Sequence, residues 1–176
     1  CWCCGRAYRL EIPPERWLTK PQNFMEFLGC CAALREHPPF EEDTCICCQT
    51  DNTNAEGWLH KTNFYDDPEK IALARWLGEH QIEHKYCLYS QWFAGKANVV
   101  SDALSRDHHL TDTELTCRLL SQYPDQLPNN FRIYPVSQET RSWVYSMLPI
   151  RPANMESPPT PTRSPIGASA AGSSLP

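Results

Sequence analysis

Along residues 5–12, GRAYRLEI, the apolar side chains Tyr8, Leu10 and Ile12 alternate with Arg9 and Glu11. A period of two predicts a half-buried strand, which Pro13 and Pro14 end because proline cannot donate to a ladder. From Gln22 to Glu36 the spacing lengthens: Phe24, Phe27, Leu28, Cys31 and Leu34 recur every three or four positions between Pro21 and Pro38, which predicts the first helix. Residues 44–50, TCICCQT, form a nearly unbroken apolar run, the signature of a central strand buried on both faces, with Asp51 delivered at its C-terminal tip.

One or two helical turns follow over 54–61, then a helix over 68–78 begun by Asp67 as N-cap, with Ile71, Ala74 and Leu77 on one face. The aromatic-rich stretch 86–93 predicts another strand, Gly95 a turn, and 98–106 a short helix. Two further helices are expected over 113–122 and 138–148. This order describes an α/β layer fold over residues 1–110 with a helical appendix over 111–148. Beyond Leu148 the chain turns to Pro, Ser, Ala and Gly with little to bury, so 149–176 is expected to be a disordered linker or tail.

No apolar run is long enough to span a bilayer, so no membrane partner is expected. Sixteen Lys and Arg against 21 Asp and Glu leave a net charge of -5, and no global positive field collects phosphates. A nucleic-acid partner would need local basic groups, or metal ions that reverse the sign of a carboxylate cluster. The ten cysteines cluster at Cys1, Cys3 and Cys4, at Cys30 and Cys31, and at Cys45, Cys47 and Cys48, with Cys87 and Cys117 apart. A zinc or nucleic-acid-binding module built on Cys1/Cys4 and Cys45/Cys48 is one reading. The second pair falls in a strand, however, and zinc pairs favour turns, so small apolar fillers are the stronger expectation.

Three acids fall on three elements: Glu26 in the first helix, Asp51 at the strand tip and Asp102 in the short helix after Gly95. Hydrolysis of a phosphodiester by two divalent ions needs hard oxygen ligands converging from separate elements on ions roughly 3.5–4 Å apart. Taken singly, each acid reads as a solvated helix residue or a turn former.

Their surroundings change that. FAGKANVVSDALSR, residues 93–106, closely resembles the segment that ends the ribonuclease H domain of retroelement polyproteins, through Gly95, Asn98, Val100, Asp102, Ala103, Leu104, Ser105 and Arg106, with Ser101 where alanine is commoner. QTDNTNAEGWLHKTNF, residues 49–64, resembles the family's strand-end aspartate and following helix, and NFMEFLG, residues 23–29, the helix that carries its glutamate. The resemblance spans residues 5 to about 110 and implies a ribonuclease H-like mixed sheet flanked by helices. It implies Glu26, Asp51 and Asp102 as catalytic and metal-binding acids for two Mg²⁺ or Mn²⁺ ions. It also implies cleavage of RNA in an RNA/DNA hybrid, beside a reverse transcriptase in the same polyprotein and inside a cell.

Asn23, Asn52 and Asn54 are candidates for sugar or phosphate contacts, although turn or cap duty is the stronger expectation for the last two. Arg75, Lys61, Lys85, Lys96 and Arg106 are the local basic groups available for phosphates. His108, before His109, stands where some ribonucleases H use a mobile histidine for product release; solvation in a polar turn is the plainer alternative. Trp58, Trp76 and Trp92 suit the core better than base stacking.

The family's first aspartate lies on a central strand ahead of GRAYRLEI, and the residues there are CWCC, without an acid. The chain is therefore expected to lack that strand, to be inactive alone and to fold poorly, because the sheet would keep two open edges. A degenerate retroelement remnant is the competing reading.

Overall fold

The computed structural model describes residues 2–3, 5–38, 41–60, 64 and 67–150. Cys1, Cys4, Lys61 and the Pro/Ser-rich stretch from 151 onward lie outside the described residues. The chain runs β1 (Trp2–Cys3), β2 (Arg6–Arg9), α1 (Pro14–Trp17), α2 (Gln22–Glu36), β3 (Thr44–Thr50) and α3 (Thr53–His60). It continues through α4 (Pro68–Glu83), β4 (Tyr86–Trp92), α5 (Val99–Arg106), α6 (Asp112–Gln122), β5 (Arg132–Pro135) and α7 (Gln138–Met147). Among the described residues no helix is long and apolar enough to cross a membrane.

The α/β class is as expected, but the strands do not join into one mixed sheet. They make two small sheets, a three-stranded one in the order β1-β2-β5 and a two-stranded one of β3 and β4. β3 and β4 are parallel, in register from Thr44 beside Tyr86 to Thr50 beside Trp92. β2 pairs antiparallel with β1 and parallel with β5.

Two cores correspond to the two sheets. The larger joins Phe24, Phe27, Leu28, Cys31 and Leu34 of α2 to Leu59, Leu73, Leu77, Tyr86, Val144 and Leu148. The smaller joins Ala7 of β2 to Val100 and Leu104 of α5, Leu115 and Leu119 of α6, and Leu127 and Phe131. β2 bridges them, because Leu10 and Ile12 just beyond it pack on the larger core. Arg9 ties the same strand to the α5–α6 loop: its guanidinium donates to Asp112 Oδ1 at 2.6 Å, Leu110 O at 2.7 Å and Asp107 O at 3.2 Å. The stretch 111–148, expected to be helical alone, contributes β5 to the first sheet and Val144 and Leu148 to the larger core.

The expectation that β3 is buried on both faces is corrected. Cys45, Cys47 and Gln49 are exposed and alternate with better buried neighbours, and Cys87, Tyr89 and Gln91 are exposed on β4 alongside. Two strands covered by α3 and α4 on one side have nothing among the described residues to bury the other, whose side chains are exposed. Filler duty accordingly holds for buried Cys31 and half-buried Cys30 and Cys48, and fails for exposed Cys45, Cys47, Cys87 and Cys117. Trp58 and Trp76 pack against the larger core as expected, whereas Trp92 is half exposed.

Inside the larger core a histidine is held neutral. His80 Nδ1 lies 2.9 Å from the Tyr86 hydroxyl, with the His84 ring stacked beside it. Burial, followed by the neighbouring His84, pushes its pKa down to about 4, against a partial upward pull from Glu83 and a further downward push from Arg35. An unfolded chain binds this proton at about pH 6.5, so the contribution of neutral His80 is whole above pH 6.5 and is lost as pH falls toward 4. We expect roughly 1–2 kcal/mol of stability to disappear over that window after allowance for solvent screening. Comparison of urea midpoints at pH 7.5 and 4.5 for wild type and His80→Gln checks this, the variant losing less on acidification.

Candidate functional site

The C-terminal end of β3 and the first turns of α2 and α3 meet at one open cleft of about 420 Å³, lined by Gln22, Asn23, Glu26, Asp51, Asn52 and Asn54. All six are polar and two are carboxylates. The lining contains no lysine or arginine, so the cleft suits a cation or a chain of hydroxyl groups better than a bare anion.

Local sequence explains the placement. α2 starts at Gln22 just after Pro21 and buries Phe24, Phe27 and Leu28, which turns Glu26 to the half-buried flank. Gln22 Nε2 donates to Glu26 Oε1 at 3.1 Å across one helical turn. Asp51 follows the last residue of β3, where Phe93 N donates to Thr50 O at 3.1 Å and Trp92 Nε1 to Asp51 O at 3.0 Å. Asn52 then opens α3, its Oδ1 accepting from Asn54 N at 2.9 Å and Ala55 N at 3.0 Å. Its side chain is therefore occupied as a helix cap, as the sequence suggested. Asn23 Oδ1 accepts from Phe24 N at 2.9 Å.

Gly95 completes the setting. A Cβ there would stand 3.0 Å from Asp51 Oδ2, so a larger residue in the 3₁₀ turn Gly95–Ala97 would press the carboxylate aside by a few tenths of an ångström. The glycine of the FAGKANVVSDALSR string thus abuts the strand-end aspartate, a contact that spacing alone does not reveal.

Asp102 is not brought to the cleft. Val100 and Leu104 anchor α5 in the smaller core, and Asp102 lies half exposed with Oδ2 3.4 Å from Arg106 Nη2. Among the described residues no group of three His, Cys, Asp or Glu side chains is arranged to hold a metal ion. The hard oxygens of Glu26 and Asp51 are of the right chemical kind for Mg²⁺, but two carboxylates without a third fall short of the set that two-metal chemistry calls for.

Of the basic candidates, Arg75 is exposed on α4, Lys85 is exposed and paired with Glu42, Lys96 is exposed beside Gly95, and Arg106 is taken by Asp102. None of them lines the cleft. His108 and His109 are both exposed in the turn after α5. Gln22 is the lining residue that residue-by-residue reasoning missed; its position four before Glu26 on a helix was the available signal. Comparison with known proteins gave no matching family model, no matching curated protein and no matching solved structure.

Proposed function

We propose that this chain is the greater part of a retroelement ribonuclease H domain whose complete form hydrolyses RNA in an RNA/DNA hybrid. The observation that carries the reading is the meeting of Glu26 and Asp51, from two separate elements, at one polar cleft. The string around Asp102 supports it, through the approach of Gly95 to the Asp51 carboxylate. Hybrid selectivity would rest on groove shape and 2′-hydroxyl contacts rather than on base edges, for which the amides of Gln22, Asn23 and Asn54 stand along the cleft.

With two carboxylates at the cleft, the reading assigns activity to a form with a further acid-bearing strand. The natural place for one is the outer edge of β3, which has no partner strand among the described residues. A strand paired there would end beside Asp51. Two divalent ions, once held, would supply the positive charge that a chain of net charge -5 lacks.

The test is cleavage of a labelled RNA strand in an RNA/DNA hybrid with and without Mg²⁺. It compares the 176-residue chain with the same chain fused at its N-terminus to a β-strand that carries an aspartate. The fused form should cut and the chain alone should not. Robust cutting by the chain alone, or none by a well-folded fusion, overturns the proposal. The second outcome would favour the remnant reading, in keeping with an Asp102 that pairs with Arg106 and does not line the cleft.

A further inference from the structure

The open face of the β3–β4 sheet carries a pair of thiols that the nuclease reading does not use. Cys45 and Cys87 are register partners on adjacent parallel strands, both are exposed, and both lie on the face left uncovered. Adjacent strands stand about 4.7–4.9 Å apart, within the Cα span of roughly 4.4–6.8 Å that a disulfide bridges. The two thiols are near enough to act on each other: the neighbouring Cys87 thiol pushes the Cys45 thiol above its ordinary pKa.

We propose that Cys45 and Cys87 form a surface dithiol that peroxide converts into a reversible disulfide clamping β3 to β4. In the first step the Cys87 sulfur, as thiolate, attacks a peroxide oxygen; the O–O bond breaks, and hydroxide leaves and is protonated to water. The Cys87 sulfenic acid is then attacked by the Cys45 sulfur, which gives up its proton; the S–O bond breaks and a second water departs. Two thiols and one hydrogen peroxide become one disulfide and two waters, with two electrons passing from sulfur to oxygen.

Geometry also predicts that the bond is easily undone. Side chains directly opposite on parallel strands stand near or beyond the upper limit of Cβ separation for an unstrained disulfide, and strain raises the reduction potential. Millimolar glutathione should therefore reopen it. A competing pair exists, because the Cys30 thiol is near enough to push the Cys48 thiol up, but these two are packed against the larger core. Peroxide reaches the open face first. Cys47 shares that face, yet its register partner is Tyr89 and its sulfur contacts Gln91 Oε1 at 4.0 Å. Cys117 stands alone on α6.

The experiment treats the full chain, freed of reductant, with a small excess of hydrogen peroxide, then blocks remaining thiols and maps peptides without reduction. The expected first product is the intact chain less two hydrogens, with a Cys45–Cys87 cross-linked peptide that disappears after glutathione. Cys45→Ser and Cys87→Ser should each abolish it and Cys117→Ser should not. Phenylarsine oxide, which bridges two neighbouring thiols, should bind the reduced wild type and lose at least tenfold in affinity for Cys45→Ser. A first product linking Cys30 to Cys48, any Cys47 linkage, or only intermolecular dimers overturns the assignment, as does unchanged arsenical affinity in Cys45→Ser. Since the serine substitutions fall at exposed positions, their folding can be confirmed by matching thermal midpoints.

Discussion

Phe27→Ala should destabilise the fold by about 3–5 kcal/mol. Phe27 is fully buried, and its ring stands 6.0 Å from Trp58 in an edge-on arrangement and 6.0 Å from Phe64, which themselves lie 5.7 Å apart. Truncation removes the transfer free energy of the ring and leaves a cavity that three separate segments must collapse to fill, since α2, α3 and the chain at Phe64 all contribute. Against a total of about 5–15 kcal/mol, that loss brings the domain close to unfolding at ambient temperature. Urea denaturation followed by tryptophan fluorescence measures it. Leu18→Ala, at a residue 66% exposed, is the control and should shift stability by no more than about 0.5 kcal/mol. The substitution also bears on the site, because Glu26 stands one residue before Phe27 and is aimed at the cleft by the burial of its neighbours.

The same coupling explains how far the sequence could be read. The apolar spacing in α2 placed both ends of that helix, and the run TCICCQT placed both ends of β3, because in each the local pattern and the tertiary packing agree. Asp67 caps α4 as its residue type suggested, accepting from Lys70 N at 3.1 Å. α4 nevertheless continues through Gly78 to Glu83. A mid-helix glycine costs only about 1 kcal/mol, and the burial of Leu77 and His80 on either side of it outweighs that cost. β5 was invisible for the opposite reason: RIYP is short and ends in proline, and its partner β2 lies more than a hundred residues earlier. Nothing local marks such a pairing.

At the site, residue type and the resemblance to the retroelement segments together pointed to Glu26, Asp51, Asn23 and Asn52, which line one cleft. They were not enough for Asp102, whose direction depends on which core α5 joins. Val100 and Leu104, four apart, bind that helix to β2 and α6, and the open β3 edge leaves the two sheets separate. The face of β3 failed likewise, since apolar composition says a strand is suited to burial and says nothing about whether a layer is there to bury it.

In the fused, strand-complemented form, Asp51→Asn should lower hydrolysis of the hybrid at least about a hundredfold, because several kcal/mol of charge stabilisation are at stake and each 1.4 kcal/mol is tenfold. Asp51 is the acid whose surroundings are set by backbone: Trp92 holds its carbonyl, Asn52 begins α3 directly after it, and Gly95 leaves room for its carboxylate. Asp102→Asn separates the nuclease from the remnant. The Asp102–Arg106 pair is a surface contact with side chains 42% and 75% exposed, of a kind worth no more than about 1 kcal/mol, so a small rearrangement of α5 frees the carboxylate. If a completed sheet draws α5 toward β3, Asp102→Asn costs as much as Asp51→Asn, and Arg106→Ala leaves the rate within about fivefold of the unsubstituted form, the ion pair being so weak. If Asp102→Asn leaves the rate unchanged while Asp51→Asn abolishes it, the carboxylate at 102 has no part in the chemistry and its place in the retroelement motif is an inheritance without a function.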